Sequence, residues 1–101
     1  MEFPMTAPFQ LFAKITPKPE HQDAVRDSLL SILAQTRAEP GCLKFNLLEG
    51  RDESCFYLDE EWAGDGALAE HYAAPYIAPI FAKYEDWLAA PVEIHKMTPL
   101  A

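Results

Sequence analysis

The spacing of hydrophobic residues predicts four strands. Residues 9–16 alternate apolar and polar side chains, and this period of two is typical of a strand with one buried face. Residues 42–49 and 54–62 flank a short polar segment, which predicts a hairpin. Residues 92–97 follow Pro91 and have the composition of a last strand.

The polar segment Gly50-Arg51-Asp52-Glu53 predicts a four-residue turn between the two hairpin strands. This turn pairs Leu48 with Cys55 and places Lys44 opposite Asp59. A cross-strand pair of opposite charges supports that register.

Helical spacing of apolar residues predicts a helix between the first strand and the hairpin, ending near Ala38. The turn Glu39-Pro40-Gly41 follows it directly, because proline cannot continue the helical hydrogen bonds and glycine tolerates turn dihedrals. The apolar face of this helix consists of Val25, Leu29, Ile32, Leu33 and Thr36.

Two further helical segments follow the hairpin. Asp65 is the predicted N-cap of the first, which carries Leu68, His71 and Tyr72 on one face and ends at Pro75. The second starts close to Pro79, because proline is tolerated only in a first helical turn. Its apolar residues are Ile77, Ile80, Phe81, Tyr84 and Leu88.

The order strand, helix, strand, strand, helix, strand predicts an α+β fold of the ferredoxin-like βαββαβ type with an antiparallel sheet. Helices cover only one face of such a sheet. Because half of the residues are hydrophobic, we expect a second copy to cover the other face, which gives a symmetric homodimer.

Length and charge narrow the possible partners. The 101 residues predict a single domain, 1–101, with 1–7 as a loose N-terminal extension. A net charge of −8 without a basic cluster argues against nucleic acid as a partner.

No apolar run approaches the ~20 residues of a membrane span. Residues 1–6 lack the features of a signal peptide, so we expect a cytoplasmic protein, with Met5 as a possible second start.

The chain shows no pattern for a metal or an organic cofactor. It lacks a glycine-rich phosphate loop, a flavin or nicotinamide fingerprint and a histidine-carboxylate cluster, so we expect no metal and no cofactor. In the assumed register Cys42 lies ~20 Å from Cys55, which predicts two free thiols.

The period of two also predicts a cavity between the hairpin and the helix that bears His71. Phe45, Leu58 and Trp62 share the apolar face of the hairpin, and His71 and Tyr72 face them from the helix. Such an aromatic pocket suits a flat phenolic ligand. The full predicted face is Leu43, Phe45, Leu47, Phe56, Leu58, Glu60 and Trp62.

Each polar candidate also has a purely structural interpretation. Trp62 is ordinary core material by its spacing, and His71 could be a buried residue bonded to a backbone carbonyl. Glu60 lies on an apolar face, where a carboxyl group either finds a donor or keeps its proton, so it is a second candidate proton acceptor. Tyr72, Tyr76 and Tyr84 are equally placed to supply hydroxyls to the cavity, and their spacing singles out none of them.

Three segments together resemble the antibiotic biosynthesis monooxygenase family of small cofactor-free oxygenases with a dimeric α+β barrel. They are residues 37–45, Phe56-Tyr57-Leu58-Asp59-Glu60-Glu61-Trp62 and Ala67-Leu68-Ala69-Glu70-His71. In the family a Glu often precedes the strand-ending tryptophan by two residues, which matches Glu60 and Trp62. A histidine commonly follows the Ala-Leu pair, which matches His71, whereas Tyr76 stands where many members carry a second histidine.

The resemblance implies a cofactor-independent monooxygenase that acts on a quinol or polycyclic phenol with dioxygen. The substrate would supply the electrons after losing a proton. His71 would be the base, with Glu60 next in line. Trp62 and Phe45 would shape the pocket, and Leu58, Tyr72 and Tyr76 would contact the substrate.

Two other functions stay open. The first is a non-catalytic dimer that binds a small aromatic or signalling molecule, because a pocket is not a mechanism. The second is haem degradation, known in related barrels, which calls for an asparagine in the first strand and a histidine after His71. In the first strand the chain has Phe9, Leu11 and Phe12 instead of an asparagine. After His71 it has Phe81 or Tyr84 instead of a histidine.

Overall fold

The computed structural model describes residues 7–101. The expectations for the first six residues, including Met5 as a second start, lie outside this range. The elements are β1 Phe9–Ile15, a 3-10 turn Pro19–His21, α1 Gln22–Ser31, α2 Leu33–Arg37, β2 Cys42–Glu49, β3 Phe56–Trp62, α3 Asp65–Ala73, α4 Ala78–Trp87 and β4 Glu93–Met97.

The four strands form one antiparallel sheet in the order β2-β3-β1-β4, which confirms the predicted ferredoxin-like α+β fold. One face of the sheet packs on the helices. Leu11 and Leu58 of that face join Val25, Leu29 and Ile80 of the helices in a single buried cluster. Within residues 7–101, no helix has the length and apolar character needed to cross a membrane.

The hairpin register differs from the predicted one by two residues. Leu48 pairs with Tyr57 rather than Cys55, because the Gly50 amide closes the loop on the Cys55 carbonyl at 2.9 Å and the loop is longer than four residues. A shift of two leaves every side chain on its predicted face. The predicted ion pair of Lys44 and Asp59 forms diagonally, at 3.2 Å.

A β-bulge between Cys42 and Lys44 changes the start of β2. The extra residue in the bulge breaks the alternation, so Leu43 is 52% exposed and does not join the apolar face as predicted. Cys42 pairs with Trp62 and packs against the core instead. Both Cys42 and Cys55 are free thiols, as predicted.

Two helix predictions need correction. The first helix is not continuous, because it tightens at Ile32, whose amide bonds the Leu29 carbonyl at 3.3 Å, and α2 continues from there. Asp65 does not cap α3, since Gly64 is the N-cap residue and Asp65 lies in the first turn. The prediction that Pro79 occupies the first turn of α4 is confirmed.

Candidate functional site

A cavity of about 60 Å³ lies between the helix-covered face of the sheet and the helices α1, α3 and α4. Its walls are mostly apolar, with Leu11, Phe45 and Leu58 among the sheet residues. Tyr72 and Phe81, whose rings lie 5.8 Å apart, line it and also reach the surface. The cavity therefore has an aromatic mouth and a nearly apolar interior.

His71 of α3 is a buried polar group in this wall, with 4% of its surface exposed. Its Nδ1 lies 2.8 Å from Oε2 of Glu39, and its ring centroid lies 4.7 Å from that of Trp62. A carboxylate accepts the Nδ1 proton, so the neutral imidazole has its lone pair on Nε2. That is the arrangement of a general base whose free nitrogen serves a substrate.

Glu39 is held in turn by the hydroxyl group of Tyr76. The Tyr76 hydroxyl donates to the same Oε2 that His71 bonds, and it lies 3.1 Å from Oγ1 of Thr36. Burial, together with the nearby Glu39 carboxylate, raises the pKa of Tyr76 to about 12. Tyr76 therefore remains a donor near neutral pH, and the carboxylate keeps a fixed position.

Gly41 lets α3 approach this turn. A Cβ at Gly41 would collide with the Cβ of Ala67, so only glycine permits the observed packing. Ala67 and His71 are four residues apart and share one face of α3. The contact that requires glycine thus also brings His71 to Glu39, two residues before Gly41.

Glu60 of β3 is the other buried ionisable side chain in the wall, with 4% of its surface exposed. Its Oε1 accepts a hydrogen bond from Nε1 of Trp62 at 2.7 Å. Burial raises the pKa of Glu60 to about 7, although the Trp62 hydrogen bond opposes that rise. Near neutral pH this carboxyl group is protonated in a large share of molecules.

Two tyrosine hydroxyls complete the polar groups of the wall. Burial raises the pKa of both Tyr72 and Tyr84, and for Tyr72 the charge of Glu60 adds to the effect. Both side chains therefore stay neutral hydrogen-bond donors. The chemistry available in the cavity is proton transfer by His71 and Glu60.

The predicted site residues divide into two groups. The cavity is lined by Glu60, His71 and Tyr72 and by the predicted wall residues Phe45 and Leu58. Trp62, expected in the wall, is fully buried behind it, where it contacts both His71 and Glu60. Tyr76, expected at the substrate, also lies outside the cavity lining and bonds Glu39.

Sequence reasoning missed Glu39 and Thr36. Glu39 stands directly before the Pro-Gly pair, but that motif predicts only a turn, and 32 residues separate it from His71. Thr36 was assigned to the apolar face of the first helix, and its buried hydroxyl in fact bonds Tyr76. Among residues 7–101, no cluster of three histidine, cysteine or acidic side chains could hold a metal ion.

The sequence model of a family described as "Antibiotic biosynthesis monooxygenase" matches residues 8–83 of this chain. A Mycobacterium tuberculosis protein named "Putative monooxygenase Rv0793" is 32% identical over 96 residues, which cover 95% of each chain. Its solved structure superposes with a TM-score of 0.89 at 30% identity, over 94% of this chain and 97% of that one.

This chain is also similar to a second solved structure, that of PA3566 from Pseudomonas aeruginosa. It is 35% identical, superposes with a TM-score of 0.88, and the match covers 96% of this chain and 98% of that one. Each of these matches covers 94% or more of this chain.

Proposed function

Because the chain belongs to the antibiotic biosynthesis monooxygenase family, we propose that it is a cofactor-independent monooxygenase that oxidises a quinol with dioxygen. The observation that carries this proposal is the buried His71 in the cavity wall, with Nδ1 bonded to Glu39 and Nε2 left as the proton acceptor. A base of this kind forms the electron-rich anion that the reaction needs.

In the proposed reaction Nε2 of His71 accepts a hydroxyl proton of the quinol. The resulting anion passes one electron to dioxygen, and the radical pair combines at a ring carbon next to the oxidised hydroxyl carbon. The products are a hydroxylated quinone and water. The quinol therefore supplies all four electrons that reduce dioxygen. The apolar cavity favours this route, because exclusion of water protects the radical pair.

The size of the cavity favours a single-ring quinol over a polycyclic phenol. An apolar protein cavity that holds benzene measures ~150 Å³, whereas this one measures about 60 Å³. Even one ring requires the exposed side chains of Tyr72 and Phe81 to move outward. Several fused rings would require the helices themselves to separate from the sheet.

Oxygen uptake with a panel of single-ring quinols tests the proposal. The wild type should consume oxygen above the rate of spontaneous oxidation, and His71→Ala should lower turnover roughly 10²- to 10⁴-fold. His21→Ala is the control, because His21 stacks on Trp87 outside the cavity. If His71→Ala keeps full turnover, another group is the base.

The same experiment decides whether the protein is a non-catalytic dimer that binds an aromatic or signalling molecule. In that case quinols would bind, as measured by quenching of tryptophan fluorescence, but none would raise oxygen uptake in the wild type. That combination of results would overturn the monooxygenase proposal.

We also propose a homodimer formed through the sheet face that no helix covers. The family is typically dimeric. On the uncovered face the rings of Phe12 and Tyr57 stack 5.3 Å apart, and Met97 is 44% exposed. Ion pairs such as Lys44 with Asp59 offset charge on the same face, so a second sheet could pack against it.

A cytoplasmic location completes the proposal. Cys42 and Cys55 are both free, and reduced thiols are typical of proteins in a reducing compartment. Fractionation of the source cells, followed by detection of the protein in each fraction, tests this location.

A further inference from the structure

We propose that Glu60 is the general acid of the reaction: it protonates the hydroxide that leaves when the oxygen–oxygen bond of the peroxide intermediate breaks, so that this oxygen leaves as water. This inference rests on the proposed function and assigns the second half of that reaction to a second residue. It is carried by the position of one carboxyl oxygen in the cavity wall.

The two oxygens of Glu60 have different surroundings. Oε1 accepts the indole hydrogen bond of Trp62 at 2.7 Å. Among the described residues, Oε2 has no hydrogen-bond partner, although the side chain is 96% buried and lines the cavity. Among the described residues, no polar side-chain atom is both fully enclosed and without a hydrogen bond, so Oε2 reaches space that a water molecule can enter. Oε2 is therefore available to a group inside the cavity.

Trp62 joins the two proton-transfer groups. Its ring lies 4.7 Å from that of His71, and its Nε1 donates to Glu60. Both groups therefore contact the same indole ring and line the wall of one small cavity. In the proposed reaction a substrate ring in this cavity therefore meets both His71 and Glu60.

The chemistry needs these two roles at once. After dioxygen adds, the adjacent ring carbon carries a hydrogen and a hydroperoxide. His71, neutral again after protonating the peroxide, removes the carbon-bound hydrogen, and the electrons of that bond form a carbonyl as the O–O bond breaks. The departing hydroxide takes the proton of Glu60 and leaves as water. Solvent then carries the proton from His71 back to Glu60.

Without the acid, the same intermediate has another exit. It can expel hydrogen peroxide and leave the unhydroxylated quinone, so that quinol and dioxygen become quinone and hydrogen peroxide. The ratio of hydroxyquinone formed to oxygen consumed thus measures the action of Glu60 separately from the action of His71.

Several groups set the protonation of Glu60. Burial raises its pKa to about 7, the Trp62 hydrogen bond opposes this, and the charge of Asp59 on its own strand adds to it. His71 and Tyr72 of α3 and Tyr84 of α4 also line the cavity, and Cys42 of β2, outside the lining, lies close enough to interact with the charge of Glu60.

The decisive experiment compares the wild type with Glu60→Gln, using one single-ring quinol that the wild type oxidises. Gln keeps the shape and an oxygen for the Trp62 hydrogen bond, but it holds no transferable proton. We expect the ratio of hydroxyquinone to oxygen to fall roughly 10²-fold, with hydrogen peroxide replacing water. Glu70→Gln, an exposed change of the same kind on α3, should keep the wild-type ratio.

The wild type provides a second test that needs no mutation. Its ratio of hydroxyquinone to oxygen should fall, and peroxide should rise, as the pH increases through about 7. Trp62→Phe removes a hydrogen bond that lowers the pKa of Glu60, so the fall should move to higher pH.

The outcomes separate the two proposals. If the wild type oxidises no quinol, the proposed function fails and this inference fails with it. If the wild type is active but Glu60→Gln keeps its hydroxyquinone ratio, or the wild-type ratio does not change with pH, only the role of Glu60 is overturned.

Discussion

The imidazole of His71 has two nitrogens, and Glu39 accepts a hydrogen bond from one of them, Nδ1. The carboxylate fixes the tautomer and the ring orientation, the Tyr76 hydroxyl fixes the carboxylate, and the Thr36 hydroxyl bonds Tyr76. In its proposed role as the base, a side chain held in this way would lose little entropy when the substrate arrives, because its geometry is set beforehand.

Glu39→Gln tests this positioning role. The Gln side chain keeps the volume but can present its NH₂ group to Nδ1, which favours the wrong tautomer. We expect kcat to fall roughly 10²-fold with little change in KM, since Glu39 does not line the cavity. Steady-state oxygen uptake measures both constants. A normal kcat would show that Glu39 serves only the packing of the turn.

Glu60 also links stability to pH. Its pKa is about 7 in the folded protein, against 4.5 when it is free in solution. A carboxyl group with a raised pKa stabilises the fold below pH 4.5, and this contribution is lost as the pH rises through 7, because the unfolded chain releases the proton more readily.

Relative to Glu60→Gln, the free energy of unfolding of the wild type should therefore fall by about 3 kcal/mol as the pH rises from 4.5 to above 7. Urea denaturation of both proteins at several pH values measures the difference, and the other ionisable groups largely cancel in it. A constant difference over this range would mean that Glu60 ionises as readily as it does in the unfolded chain.

At the level of elements, the turn before β2 and the helix α3 fit together through Gly41 and Ala67. A Cβ at Gly41 would overlap the Cβ of Ala67, and the next closest atom, Cα of Ala67, lies at an ordinary 3.4 Å. The two positions should therefore be coupled: a side chain is tolerated on one only when it is absent from the other.

Gly41→Ala should destabilise the fold by ~1–3 kcal/mol through overpacking and weaken catalysis by moving His71 away from Glu39. Adding Ala67→Gly should recover part of the loss, although glycine inside a helix costs ~1 kcal/mol. A double-mutant cycle by chemical denaturation measures the coupling. Gly66→Ala is the control, because nothing lies within 4 Å of its new Cβ. Additive effects would contradict the close approach.

The sequence predicts the elements well because hydrophobic period and breaker residues act locally. The order of strands and helices, the face that holds Phe45 and Leu58, and Pro79 at a helix start all follow from such signals. The hairpin register does not, because it depends on where the loop closes, and here the bond from Gly50 to Cys55 decides it.

The candidate site follows from the sequence only in part, for a related reason. His71 and Glu60 are polar residues at positions that the spacing of the apolar residues assigns to buried faces, so the sequence pattern identifies them. The role of Glu39 appears only when α3 docks on a distant turn, and no local pattern encodes that contact. Trp62 shares the predicted face, but it lies fully buried behind the wall rather than in it.

At the scale of the whole molecule, the sheet has one face without helices. Phe12 and Tyr57 lie at its centre on the two inner strands, β1 and β3, with their rings stacked. A net charge of −8 would oppose association of two copies. The paired charges on this face, Lys14 with Glu53 and Lys44 with Asp59, reduce the local repulsion.

Phe12→Glu should therefore convert the proposed dimer into a monomer, because it places an unpaired carboxylate at the centre of each of two packed sheets. Leu30→Glu is the control, since Leu30 is a 50% exposed apolar residue on α1, on the helical side of the sheet rather than on its open face. Sedimentation equilibrium at micromolar concentration should give twice the 11.4 kDa chain mass for the wild type and the control. Circular dichroism should show that the Phe12 variant stays folded. If the wild type sediments with the mass of a single chain, the proposed homodimer through the open sheet face and its aromatic pair is wrong.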